Sequence, residues 1–291
     1  MPRTHRARKT PHSANSAPNP PALFSLTDLD TAAHPGADQF AESAEAESPR
    51  EKAQELCWNA MDAPDGPQPR RWVKEALALD PECVDALVMQ AAWTRSQKTR
   101  IEMLERAVVS GHRRLGGDNY FAEWTGHFWS LVETRPYMRA RINLAIAYKE
   151  SGRTLDAISA FEEMLRLCPD DNPGNRDILL GLYLRCGEKH RAQLLLRRYG
   201  PDSSAVSRFG QLIIAIQSDD RRAERLFLDA QRQNPYVVPG LLGARNLPAP
   251  GAFYGIGDEA EAAYCLECLM DAFLSHPRIP FWIAEHALPR P

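Results

Sequence analysis

The segment from Thr134 to Asp171, TRPYMRARINLAIAYKESGRTLDAISAFEEMLRLCPDD, leaves few folds open to this chain. It reads as two helices joined by a tight turn. Leu144, Ala145 and Tyr148 share one face of the first helix, and Gly152 ends it. Ala157, Phe161, Met164 and Leu165 share one face of the second, which Pro169 ends. Small residues at Ala145 and Ala157 let the two helix axes approach, and the large residues fill the space beside them. A single pair of this kind cannot bury its outer faces, so other pairs must flank it.

The flanking sequence supplies them. Leu179, Leu180 and Tyr183, then Gly187, then Ala192 and Leu196 repeat the spacing over about 173–201. Ile214, Ala223, Phe227 and Ala230 repeat it over about 204–235, and Pro235 closes that pair. Upstream, Ala53, Leu56, Cys57 and Ala60 face Val73, Ala76 and Leu77 across a degenerate pair at about 50–81. Leu87, Ala91 and Ala92 face Ile101, Leu104, Ala107 and Val108 at about 84–111, where Gly111 ends the helix. With the pair at 138–171, this periodicity predicts an all-α chain: an α-solenoid of tetratricopeptide-like helical hairpins.

Three stretches break the period. Residues 1–49 are rich in Pro, Ala, Ser and Asn and lack the apolar density to offset chain entropy, so a disordered tail is expected. Its first 27 residues carry Arg3, Arg6, Arg8 and Lys9 and no acidic residue. The remainder is therefore more acidic than the whole-chain charge of −3, which argues against nucleic-acid binding. In the second stretch Tyr120, Phe121, Trp124, Phe128 and Trp129 crowd together, predicting a helical insert over about 118–132 whose aromatic stripe is core. The third, 236–257, is rich in Pro and Gly and predicts a crossing loop that closes one end of the array. Asp258 then caps an amphipathic helix to about Leu274, with Ala262, Leu266, Leu269, Met270 and Phe273 on its buried face. This helix and the segment Phe281-Trp282-Ile283 are expected to cap the array at 258–288.

Several strings resemble motifs that carry chemistry but lack the structural context those motifs require. Gly255-Ile256-Gly257-Asp258-Glu259-Ala260 spells G-x-G-x-x-A, but no strand precedes it and two carboxylates stand where a pyrophosphate would sit. Cys265-x-x-Cys268 has no second ligand pair and lies within a predicted helix, which disfavours both zinc and redox roles. His112, Glu123, His127 and Glu133 lack a metal-ligand spacing. The six cysteines fall mostly at apolar helix positions, as free thiols of a reducing cytosol do. No apolar h-region follows the charged N-terminus and no apolar run approaches the length of a membrane span. The expectation is a cytoplasmic chain that is not an enzyme and has no catalytic residue, cofactor, metal or membrane partner.

One surface constellation remains. In such hairpins the first helix of each pair lines the inner surface. Arg139, Asn143, Ile146 and Lys149 face it from the central pair, Asp177 and Arg185 from the next, and Arg208 and Gln211 from the one after. Arg139, Asn143 and Arg208 could form a positive cradle for an acidic peptide. The partner-binding groove is accordingly assigned to Arg139, Asn143, Ile146, Lys149 and Arg208. Two other functions fit the sequence: a metal-binding or enzymatic protein using the insert and its flank at 118–141, and a structural subunit that self-associates.

Longer strings narrow the resemblance. Gly126-His127-Phe128-Trp129, the run ETRPYMRAR at 133–141 and MLRLCPDDN at 164–172 stand out, followed by Leu241-Leu242-Gly243 and the turn from Tyr254 to Glu261. Through these the chain resembles the bacterial tetratricopeptide proteins related to the suppression-of-tumorigenicity-7 family, over about residues 60–283. The resemblance implies an α-helical scaffold without a catalytic residue or cofactor.

Overall fold

The computed structural model describes residues 48–200, 203–249 and 254–287, and no strand occurs among them. The segment 1–47, for which a disordered tail is expected, lies outside the described residues. Helix α1 (Pro49–Asp62) begins at once, held by a capping box in which Ser48 and Glu51 bond reciprocally. It pairs with α2 (Pro67–Leu79). Three further pairs follow: α3 (Val84–Ala92) with α4 (Gln97–Arg114), α6 (Arg135–Glu150) with α7 (Thr154–Leu167), and α8 (Asn175–Arg185) with α9 (Lys189–Arg198). The next pair is α10 (Ala205–Gln217) with α11 (Ala223–Gln233). A short helix α5 (Gly117–Trp124) separates the second pair from the third. The chain closes with α12 (Val237–Leu241), α13 (Glu259–Leu274) and α14 (Arg278–Ala287).

The turn that defines the central pair has a specific cause. Gly152 takes φ +77°, and the next amide, Arg153 N–H, donates back to the Tyr148 carbonyl at 2.9 Å. Gly187 takes φ +73°, and Glu188 N–H donates to the Tyr183 carbonyl at 2.8 Å. Each is a Schellman closure, in which glycine alone accepts the left-handed conformation without steric cost. The tyrosines therefore have equivalent positions in successive pairs.

Expectations fail at two places, in the insert and toward the C-terminal end. The aromatic stretch is not one helix: α5 stops at Trp124, Gly126 turns with φ +95°, and 3-10 turns at Phe128–Ser130 and Val132–Thr134 follow. Thr134 stands before α6 but does not cap it with its side chain; its hydroxyl donates to the carbonyls of Phe128 and Leu131 instead. The stripe is nevertheless core: Phe121 and Phe128 are buried and lie 4.9 Å apart by ring centroids, with Tyr137 edge-on to Phe121. At the far end, α13 is more than a cap. It lies along α8 and also against α10, the first helices of two successive pairs. Cys265, Cys268, Ala263 and Glu261 are buried in addition to the expected face, whereas Met270 is only half-buried. The approach is close enough that a Cβ on Gly181 of α8 would lie 2.0 Å from the Cys268 carbonyl oxygen. The 236–257 stretch is also not wholly loop, since it contains α12.

Candidate functional site

The residues expected to line an inner groove have very different fates. Arg139 is 3% exposed. Its Nε and one terminal nitrogen donate to the two carboxylate oxygens of Asp85 at 2.9 and 2.8 Å. Asp85 is fully buried and also accepts from the Gln54 side-chain amide at 2.7 Å. Asn143 is 4% exposed and donates to the Arg139 carbonyl at 2.9 Å. The positive cradle drawn from the sequence is therefore not assembled at these positions. Arg139 and Asn143 belong to a buried network that joins α1, α3 and α6. The physical reason is plain: α3 is almost wholly apolar, so a carboxylate in it is buried and demands a cation with bidentate geometry. Asp85 inside VDALVMQAA was the signal available in the sequence, and it points to a buried partner.

Ile146, Lys149 and Arg208 remain half-buried. Farther along, α13 covers much of the face offered by α8 and α10. Arg185, expected on the open surface, bonds to Asp271 of α13 at 2.8 Å. The Tyr264 hydroxyl of α13 lies 3.4 Å from Asp177. Glu261 fixes the start of the same helix. It is fully buried and accepts from Ala205 N–H at 2.9 Å, the Asn234 side-chain amide at 2.9 Å and Gly257 N–H at 2.6 Å. The G-x-G-x-x-A string thus serves the fold. Gly257 donates to Glu261, and Asp258 accepts from Glu261 N–H at 2.7 Å as the α13 cap.

Where α8 and α10 end, the seam with α9 and the α13–α14 turn opens into a cleft of about 380 Å³. Arg185, Lys189, His276 and Arg278 line it beside the exposed thiol of Cys186. Two of its cations are held by surface carboxylates, Asp271 and Asp219. Lys189 donates to the Gln217 carbonyl at 3.2 Å. Sequence reasoning found Arg185 but missed Lys189, His276 and Arg278, which come from three other elements of the chain.

The insert does not gather a ligand set. His112 pairs with Asp118 at 3.1 Å and packs on Phe121, and Glu133 accepts from Tyr120 at 3.3 Å. His127 and Glu123 are exposed, and the described residues contain no group of three or more His, Cys, Asp or Glu arranged to hold a metal ion. Cys265 and Cys268 are buried within α13, and burial drives both thiols well above their ordinary range. Among the described residues no helix is long and apolar enough to cross a membrane. Compared with protein-family models, curated proteins and solved structures, the chain matches none of them.

Proposed function

We propose that this protein is a non-catalytic scaffold, a tetratricopeptide-like α-solenoid whose inner face holds a peptide or helix of another protein. The observation that carries the reading is the seating of α13. The first helices of two successive pairs, α8 and α10, already hold a helix along their common face. They do so through a glycine that permits close approach, through apolar packing of Leu269 and Phe273, and through ion pairs at the margin. A surface built to take one helix has the chemistry to take a second beside it. The resemblance to bacterial relatives of the suppression-of-tumorigenicity-7 family supports the same scaffold reading.

The partner is read as acidic because cations from three helices, Arg185 of α8, Lys189 of α9 and Arg278 of α14, converge on the cleft beside α13. Arg185, Lys189 and Arg278 are positioned to share a partner's carboxylates with Asp271 and Asp219. Reversing Arg185 and Lys189 together to Glu should abolish capture of a partner from native lysate. Far-UV circular dichroism should be unchanged, because the Arg185–Asp271 pair is exposed and such pairs contribute about 0–1 kcal/mol. Capture by the wild type should also weaken as salt rises. Undiminished capture by the double reversal overturns the acidic-partner reading.

A further inference from the structure

The sulfurs of Cys57 and Cys83 lie 3.6 Å apart, with both residues buried. Cys57 sits in the third turn of α1, and Cys83 is the residue from which α3 springs. They touch across the seam between the first helix pair and the second, next to the Gln54–Asp85 hydrogen bond across the same seam. We propose that Cys57 and Cys83 are an oxidisable dithiol, which a hydroperoxide converts into a disulfide that fastens the first helix pair onto the second.

The chemistry requires a nucleophilic thiolate and a nearby second thiol. Cys83 is the better thiolate: the Cys57 thiol donates to it and the Ala86 amide at the start of α3 favours the anion, holding it below its ordinary value. Cys57 is held in its protonated form by that same hydrogen bond and by burial. The Cys83 thiolate attacks the terminal oxygen of the hydroperoxide, giving a sulfenic acid and releasing an alkoxide that leaves as the alcohol after taking a proton. The Cys57 sulfur then attacks the Cys83 sulfur, its proton leaves with the hydroxyl as water, and the S–S bond forms. Two thiols are oxidised and one peroxide O–O bond is reduced.

Access follows from the packing. The first pair has its own small cluster, Ala53, Cys57, Ala60, Val73 and Ala76 against Cys83, Ala86 and Met89, separate from the main core. Half-buried Leu56, Met61, Trp72, Leu77, Leu79 and Trp93 pack around this cluster, so a hydroperoxide reaches the sulfurs only when the first pair opens from the second. Transient lifting of α1 from α3 is a local opening, and it exposes both sulfurs together. The disulfide would then close a loop between positions 26 apart in sequence and suppress that opening.

The test uses the full chain. Purified reduced protein is treated with hydrogen peroxide, remaining thiols are alkylated after unfolding, and a non-reducing digest is mapped by mass spectrometry. The expected product joins the Cys57 and Cys83 peptides with the loss of two hydrogens, and dithiothreitol reverses it. The urea midpoint of the oxidised wild type rises, whereas that of peroxide-treated C83S and C57S does not. The mapping relies on wild-type protein, so a poorly folded variant leaves the test intact. Recovery of Cys57 and Cys83 as alkylated thiols, their conversion to sulfinic acids without a crosslink, or pairing of either with Cys186 overturns the proposal.

Discussion

Replacing Asp85 with alanine strands the Arg139 guanidinium in the interior. Arg139 is 3% exposed and Asp85 0%, and two hydrogen bonds of 2.9 and 2.8 Å join them, so water cannot replace the lost carboxylate without opening the α3–α6 contact. Removing one partner of a buried ion pair leaves an uncompensated charge and costs about 3–5 kcal/mol. At roughly 2–4 °C per kcal/mol for a chain of this size, the melting temperature should fall by about 6–20 °C. The Gln54 amide also loses its acceptor, which adds to the loss. Urea and thermal unfolding followed by circular dichroism would measure it. The double substitution D85A/R139M removes the charge along with its partner, and should be much less destabilised than the two single variants imply. The resulting cycle should show a coupling of about 1–3 kcal/mol. If D85A lies within about 0.5 kcal/mol of the wild type, or if the double variant costs the sum of the singles, the network is not what holds α1, α3 and α6 together.

Three other perturbations probe the way α13 and the helix starts are held. Glu261→Ala leaves the Ala205 amide, the Asn234 side chain and the Gly257 amide without their acceptor, and at about 1–3 kcal/mol per orphaned donor, part of it recovered by water, should cost about 3–5 kcal/mol in the urea midpoint. Gly181→Ala drives a methyl into the Cys268 carbonyl and should lift α13 from α8, making Cys265 and Cys268 reactive toward a thiol reagent that leaves them untouched in the wild type. Asp171 accepts from the amides of Asn175 and Arg176 at 2.7 and 2.9 Å, yet burial outweighs these bonds and pushes it up to about 6. Because the folded value lies above the ordinary 3.8, this group's contribution is fully present below that value and is lost as pH rises through about 6. Lowering pH from 7.5 to 5 should therefore stabilise the wild type relative to Asp171→Asn by about 1 kcal/mol, read as the difference in urea midpoints.

Local pattern was enough to find most of the helices. The 3.6-residue spacing of Leu144, Tyr148, Ala157, Phe161 and Leu165 is a property of neighbouring residues, and those side chains are buried as that spacing requires. Gly152 and Gly187 announce their turns because their left-handed φ angles favour glycine. The aromatic insert was legible as core and illegible as geometry. Its hydrophobic stripe survives a break at Gly126, because tertiary packing of Phe128 and Tyr137 overrides helical continuity.

The candidate site was much less legible. Helical spacing gives the face on which Arg139 and Asn143 lie but not what covers that face. Asp85, 54 positions earlier, decides that Arg139 is buried, and no local rule links residues so far apart. In the same way Asp258 and Glu261 mark the start of α13 as a capping pattern, but only the folded chain brings Ala205 and Asn234 onto the Glu261 carboxylate. Helix type, turn position and the all-α class are written in residues within a turn or two of one another. Which helix covers which face, and hence which charges are buried in pairs and which remain at the cleft, depends on contacts between residues tens of positions apart. Only the tertiary structure decides that, because burial belongs to the packed whole and not to the segment.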